Sequence, residues 1–110
     1  MNVNINTQNG ILIISVEGNV DSKTAPELQQ KISDATHDSK KVIIDMTKVE
    51  FVSSAGLRVL LMVYRQIKTN NGVVVLVGVS DEIKEVMSMT GFINFFKIFE
   101  NIDQSFSAFQ

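Results

Sequence analysis

Val3 and Ile5 alternate with Asn2, Asn4 and Asn6, and Ile11 to Val16 is a dense aliphatic run. Between them Gln8-Asn9-Gly10 carries the Asn-Gly pair that favours a two-residue hairpin turn, so the chain opens as strand, turn, strand. Gly18 and Asp21 break the aliphatic pattern. Thr24-Ala25-Pro26-Glu27 then offers an N-cap threonine, an early-turn proline and a glutamate at the third helical position, which together read as a capping box opening a helix. Ala25, Leu28, Ile32 and Ala35 recur at helical steps and form one apolar stripe on a helix expected to end near His37. Lys41-Val42-Ile43-Ile44-Asp45 has nothing polar in its middle, as a central strand flanked by neighbours requires.

From Ser54 the period becomes helical again, with Leu57, Leu60, Leu61, Tyr64 and Ile67 on one face and Arg58, Arg65, Gln66 and Lys68 elsewhere. Basic residues at the end of this helix complement the negative pole of its dipole, and Asn70-Asn71-Gly72 supplies a left-handed stop. Met62, Val59 and Val63 lie off the main stripe and read equally as second-face core or as part of a docking patch with Ala55 and Arg58. Val73 to Val77 is a second bare aliphatic strand. Ser80 caps a short helix carrying Ile83, Val86 and Met87, and Gly91 ends it. Phe92 to Phe99 reads as a loop and last strand, with most of Phe95, Phe96 and Phe99 in the core. Ile102, Phe106 and Phe109 place a short helix at the tail, packed on the body.

The order β-β-α-β-α-β-α-β-α predicts an α/β fold: a single small mixed sheet, antiparallel only at the hairpin, with helices packed mainly on one face. Residues 1–110 suit one domain, with no repeat, linker or low-complexity segment.

Composition narrows the function more than the fold. The chain has no cysteine and a single histidine, which removes thiolate metal sites and thiol nucleophiles and leaves any histidine-based triad or metal site hanging on His37. His37, closing the first helix beside Asp38, reads as a solvated residue at the negative end of the dipole. No metal or cofactor is expected. Zero cysteine also favours a reducing compartment, hence a cytoplasmic address. Ten Lys+Arg against twelve Asp+Glu give a net charge of −2, with no cationic excess to release counterions from a phosphate backbone, so nucleic acid is not an expected partner. The opening MNVNINTQNG lacks the basic and apolar regions of an export signal. The longest apolar runs fall far short of the roughly 18 residues a membrane span needs, so no membrane insertion is expected. A monomer is the default for the free chain.

The segment from Asp45 to Arg58 runs from the end of a bare strand to the start of a helix, and small residues crowd its turn. Ser53, Ser54, Ala55 and Gly56 put two hydroxyls and two minimal side chains where backbone N–H groups point outward. Two readings remain open: an N-cap serine with close helix packing, or an anion or phosphate position at the positive end of the dipole. The segment matches neither G-x-S-x-G nor G-x-x-x-x-G-K-[ST], so motif support for a hydrolase or a nucleotide-hydrolysing enzyme built on Ser54 and Asp21 is missing.

The stretch DMTKVEFVSSAGLRVLL, Asp45 to Leu61, resembles the signature of the STAS domain family, whose small single-domain members are bacterial anti-sigma factor antagonists. Glu17-Gly18-Asn19-Val20-Asp21 with Ala25 and Leu28 resembles the family's segment leading into its first helix, and Thr90-Gly91-Phe92 with Phe96 and Ile98 resembles its carboxy-terminal block. The resemblance implies a STAS-like fold and a partner-switching role rather than an enzyme. In such antagonists a serine at the start of the helix after the third strand, Ser54 here, is phosphorylated by a partner that is both anti-sigma factor and serine kinase. The unphosphorylated form binds that partner and frees the sigma factor, and a serine/threonine phosphatase resets the cycle. Where many members carry aspartate this chain has Ser53, which becomes the second candidate for modification. The resemblance also implies a role for Asp21 near the serine, and a partner-binding surface made of Asp21, Ser53, Ser54, Ala55, Gly56 and Arg58. The alternative it leaves is a STAS interaction module in a lipid-transport or sensory assembly without a phosphorylation cycle.

Overall fold

Parallel crossovers share one hand, so helices that step along a sheet in one direction fall on the same face. The computed structural model, which describes residues 1–109, shows that arrangement in a five-stranded sheet whose strands lie side by side in chain order. The strands are β1 (Asn2–Gln8), β2 (Ile11–Glu17), β3 (Lys41–Lys48), β4 (Val73–Val77) and β5 (Ile98–Phe99). Only β1 and β2 are antiparallel. They turn at Asn9 and Gly10, whose φ angles of 55° and 76° are the left-handed values an Asn-Gly hairpin needs.

The helices α1 (Ala25–Thr36), α2 (Ser54–Thr69) and α3 (Asp81–Thr90) connect the parallel strands. Their apolar residues, among them Leu28, Ile32, Leu57, Leu60, Ile83 and Met87, join Ile14, Ile44 and Leu76 in the larger core cluster. The opposite sheet face carries Ile11, Ile13, Ile43, Val75 and Val77 and is covered by the tail, α4 (Ile102–Ser105) with the 3-10 turn Phe106–Phe109. The mixed sheet with helices mainly on one face is thus the architecture expected from the sequence.

Three local expectations are corrected. The Thr24 hydroxyl does not cap α1, because Thr24 is already helical in backbone conformation (φ −94°, ψ −19°). Its oxygen instead accepts from the Asp21 N–H and donates to the Asn19 carbonyl, both at 2.9 Å. In α1, Thr36 rather than Ala35 is fully buried, its hydroxyl satisfied by the Ile32 carbonyl at 2.7 Å. In α2 the buried set is Gly56, Leu57, Val59, Leu60, Val63 and Ile67, a wider stripe than expected because α2 packs on β4, α1 and the Phe92–Phe95 turn together. Val59 and Val63 are therefore core, and only Met62 of that trio is exposed, at 44%. The left-handed stop expected after α2 is there, at Asn71 (φ 62°), and Gly72 beside it allows close approach, since a Cβ there would meet the Lys40 carbonyl oxygen at 2.7 Å.

Candidate functional site

The loops leaving the carboxyl ends of β2 and β3 are tied together by main-chain bonds. Val20 N–H donates to the Phe51 carbonyl at 2.9 Å, Ser53 N–H donates to the Val20 carbonyl at 2.8 Å, and Val20 and Val52 form an isolated parallel bridge. That bridge brings the Asp21 turn, which leads into α1, beside the serines that start α2. Residues distant in sequence thus meet where two helix N-termini emerge from the sheet.

Gly56 makes this approach feasible. A Cβ at Gly56 would stand 2.6 Å from Val20 Cγ1 and 2.7 Å from Val52 Cγ1, well inside the roughly 3.5–4.0 Å of an ordinary carbon contact. Gly56 is buried, so it lies beneath the surface and sets how closely α2 sits on the bridge.

The two serines do different things. Ser53 is the N-cap, extended in backbone (φ −80°, ψ 175°), and its Oγ accepts from the Gly56 N–H at 3.3 Å. Ser54 is the first residue of α2 and is exposed. In the first turn the Gly56 N–H is taken by the Ser53 hydroxyl and the Leu57 N–H by the Ser53 carbonyl at 2.9 Å. The Ser54 and Ala55 N–H groups are left facing the positive end of the helix, where an anion is favoured. Ala55 is half-buried against the core, while Arg58, one turn beyond Ser54, is exposed and has no ion-pair partner among the described residues.

Asp21 closes the turn that leads into α1. Its Oδ1 accepts from the Lys23 N–H at 2.9 Å and the Thr24 N–H at 3.0 Å. These main-chain bonds, Thr24 first and Lys23 second, hold its carboxyl below the ordinary range, against a small opposing effect of burial. Asp21 is thereby fixed as a carboxylate beside the serine turn, with its side chain committed to the loop that shapes the site. His37 lies at the other end of α1, whose 12 residues span about 18 Å, so the one imidazole is far from Ser54.

One site feature is not evident from residue order. Phe51 is 53% exposed, while Val52 beside it is buried in the bridge. With Arg58 and Met62 following Ser54 at four-residue steps along α2, Phe51 gives the rim of the serine turn an apolar and cationic character. The available signal was that Phe51 falls in a loop, outside any periodic stripe. Among the described residues no group of three or more His, Cys, Asp or Glu is placed to hold a metal ion, and no helix is long and apolar enough to cross a membrane.

The site is thus a serine presented at a helix N-terminus of a small α/β sheet domain, braced by a glycine and a loop-to-loop bridge. The chain belongs to the STAS domain family, which matches residues 2–105. It is 28% identical over 111 residues to BtrV of Bordetella bronchiseptica, which carries the provisional name of an anti-sigma factor antagonist, over 100% of this chain and 96% of that protein. The fold matches the crystal structure of an anti-sigma factor antagonist from Mycobacterium paratuberculosis with a TM-score of 0.88 at 27% identity, covering 97% of this chain and 92% of the other. It also matches SpoIIAA, an anti-sigma factor antagonist of Bacillus, in both recorded forms, each at 16% identity. The TM-score is 0.81 for the unphosphorylated form (97% of this chain, 95% of the other) and 0.75 for the phosphorylated form (99% and 100%).

Proposed function

We propose that this chain is a phosphorylation-controlled anti-sigma factor antagonist, with Ser54 as the phosphoacceptor. Unphosphorylated, it binds an anti-sigma factor that is also a serine kinase and so frees the sigma factor; phosphorylated on Ser54, it lets that partner go, and a serine/threonine phosphatase restores the first state. The observation that carries the reading is the division of labour at the turn: the Ser53 hydroxyl is engaged as the α2 cap, while the Ser54 hydroxyl is exposed at the first helical position. That the same fold is known in phosphorylated and unphosphorylated forms in SpoIIAA supports it.

The physics of the site supports a switch at the surface rather than a refolding. A phosphate adds about −1.5 to −2 charges and three acceptor oxygens at one point of a chain whose net charge is −2. At Ser54 the helix dipole and the Ser54 and Ala55 N–H groups offset that charge locally, and the Val20–Val52 bridge holds the loop. The partner meets a bulky anion on a rim otherwise formed by Phe51, Ala55, Arg58 and Met62, with the Asp21 carboxylate alongside. Gly56 acts from beneath by setting the height of α2. The chain itself is a substrate with no turnover of its own, acting in the cytoplasm as one unit over residues 1–110.

Incubation with the cognate kinase and ATP, followed by mass spectrometry, tests the assignment. The expected result is one phosphate on Ser54, lost in Ser54→Ala and retained in Ser53→Ala. Absence of modification at Ser54, despite stable binding of the kinase, would replace the switch by a constitutive interaction module.

A further inference from the structure

The strand β1 is the outermost strand of the sheet, and its outer edge is unpaired among the described residues. Gln8 and Ile11 flank the two-residue Asn9-Gly10 turn, so they are the pair joined by the turn's own hydrogen bond. Antiparallel alternation then aims the main-chain groups of Asn2, Asn4 and Asn6 at β2, and those of Val3, Ile5 and Thr7 outward. Sheet edges of this kind are ordinarily blunted by a charged side chain, a proline or a bulge. Asn2–Gln8 has no charged residue and no proline, and it pairs with β2 in unbroken register over all 7 residues. Ile5, opposite the core residue Ile14 and hence on the helix-bearing side, is 49% exposed.

The same seven side chains are complementary to themselves. In an antiparallel pairing with its twofold axis at Ile5, Val3 falls opposite Thr7 of the second copy, Asn4 opposite Asn6, and Asn2 opposite Gln8, while Ile5 meets Ile5. Amides face amides on the polar side, the exposed isoleucines cover each other on the apolar side, and no like charges meet. The three outward-facing residues of each copy would exchange about six main-chain hydrogen bonds. We propose that β1 pairs with β1 of a second copy of this chain, joining two sheets into one. A strand-edge contact of this length lies below the roughly 1,200 Å² of a standard stable interface, so the dimer is a weak, reversible one, populated at high concentration. Ser54 lies at the start of α2 rather than on β1, so the pairing stands apart from the proposed phosphorylation.

The cysteine-free chain allows a register-specific test. In the Ile5→Cys variant the two thiols sit across a hydrogen-bonded pair with Cα atoms about 5.5 Å apart, inside the roughly 4.4–6.8 Å range of a disulfide. In Thr7→Cys the two thiols are four residues out of register, about 14 Å apart along the strand. Oxidation at high concentration is expected to cross-link Ile5→Cys into dimers and to leave Thr7→Cys monomeric. Sedimentation equilibrium of the unmodified chain should show a concentration-dependent dimer that Ile5→Lys removes, with circular dichroism confirming that the variant folds. A strictly monomeric unmodified chain, equal cross-linking of the two cysteine variants, or a dimer that survives Ile5→Lys would overturn the proposal.

Discussion

Replacing Gly56 with alanine probes the packing that holds the serine turn in place. The added Cβ would meet Val20 Cγ1 at 2.6 Å and Val52 Cγ1 at 2.7 Å, each short of an ordinary contact by about 1 Å. Neither valine yields easily. Both are buried, and a β-branched side chain has few alternative χ1 positions in a packed core. Overpacking of this kind costs about 1–3 kcal/mol, while removing a glycine from a helix returns at most about 1 kcal/mol. Two unyielding contacts put the cost at about 2–3 kcal/mol, so a net loss of about 1–2 kcal/mol follows, which in a domain of this size lowers Tm by about 4–8 °C. Because the strain falls on the bridge that carries the Ser53-to-Val20 bond, the same variant should be phosphorylated more slowly at Ser54. Differential scanning calorimetry reads the first effect and a kinase time course the second, with Ser54→Ala as an exposed control expected to stay within about 0.5 kcal/mol of the parent. An unchanged or raised Tm for Gly56→Ala would refute the close packing of α2 on the Val20–Val52 bridge.

Ser53→Ala removes the α2 cap and should cost about 1 kcal/mol, or about 4 °C in Tm, while leaving Ser54 open to the kinase; equal loss of phosphorylation in both serine variants would contradict the division of roles. Asp21 has a folded-state pKa below its unfolded value of about 3.8, so its stabilising contribution is present above that pH and is lost as the pH falls through the folded value. The stability deficit of Asp21→Asn in urea titrations should therefore be constant at neutral pH and shrink below about pH 4, and a deficit that grows with acidity would show the sign to be wrong. Gly78→Ala places a Cβ against the Thr47 side chain at a left-handed position (φ 70°), beside the Gly78 N–H bond to Phe99 that anchors β5. Its expected cost is about 2–4 kcal/mol, and a denaturation midpoint close to that of the parent would count against this geometry.

Local signals carried the elements whose causes are local. Asn9-Gly10 specifies its hairpin through two left-handed residues, and Ser80 and Gly91 bracket α3 by a side-chain cap at 3.2 Å and a left-handed C-cap. The start of α2 and its serines were legible for the same reason. The end of β3 was not: the aliphatic run stops at Asp45, yet the strand continues to Lys48 because Met46 is buried and Lys48 still pairs with Glu17 of β2. The burial of Gly56 and the exposure of Phe51 go with the pairing of Val20 with Val52, a contact between loops that no short window contains, whereas the Thr24 hydroxyl is held locally by Asn19 and Asp21 because the chain turns there before α1 begins. The family resemblance pointed to Asp21 and Ser54 as neighbours in function; the bridge supplies the physical means by which their two loops come together.

The geometry also separates what the phosphate would alter from what it would leave alone. The sheet, the bridge and the Ser53 cap lie beneath or behind Ser54, so a phosphate there should change amide chemical shifts in the first turn of α2 and the Asp21 loop and leave β4, β5 and α4 unmoved.

The most direct measurement is a pair of calorimetric titrations into the cognate anti-sigma factor, one with the unphosphorylated chain and one with the chain stoichiometrically phosphorylated on Ser54. Binding should be measurable in the first and at least about tenfold weaker in the second, a difference of about 1.4 kcal/mol or more. Equal affinities for the two forms would contradict the switch.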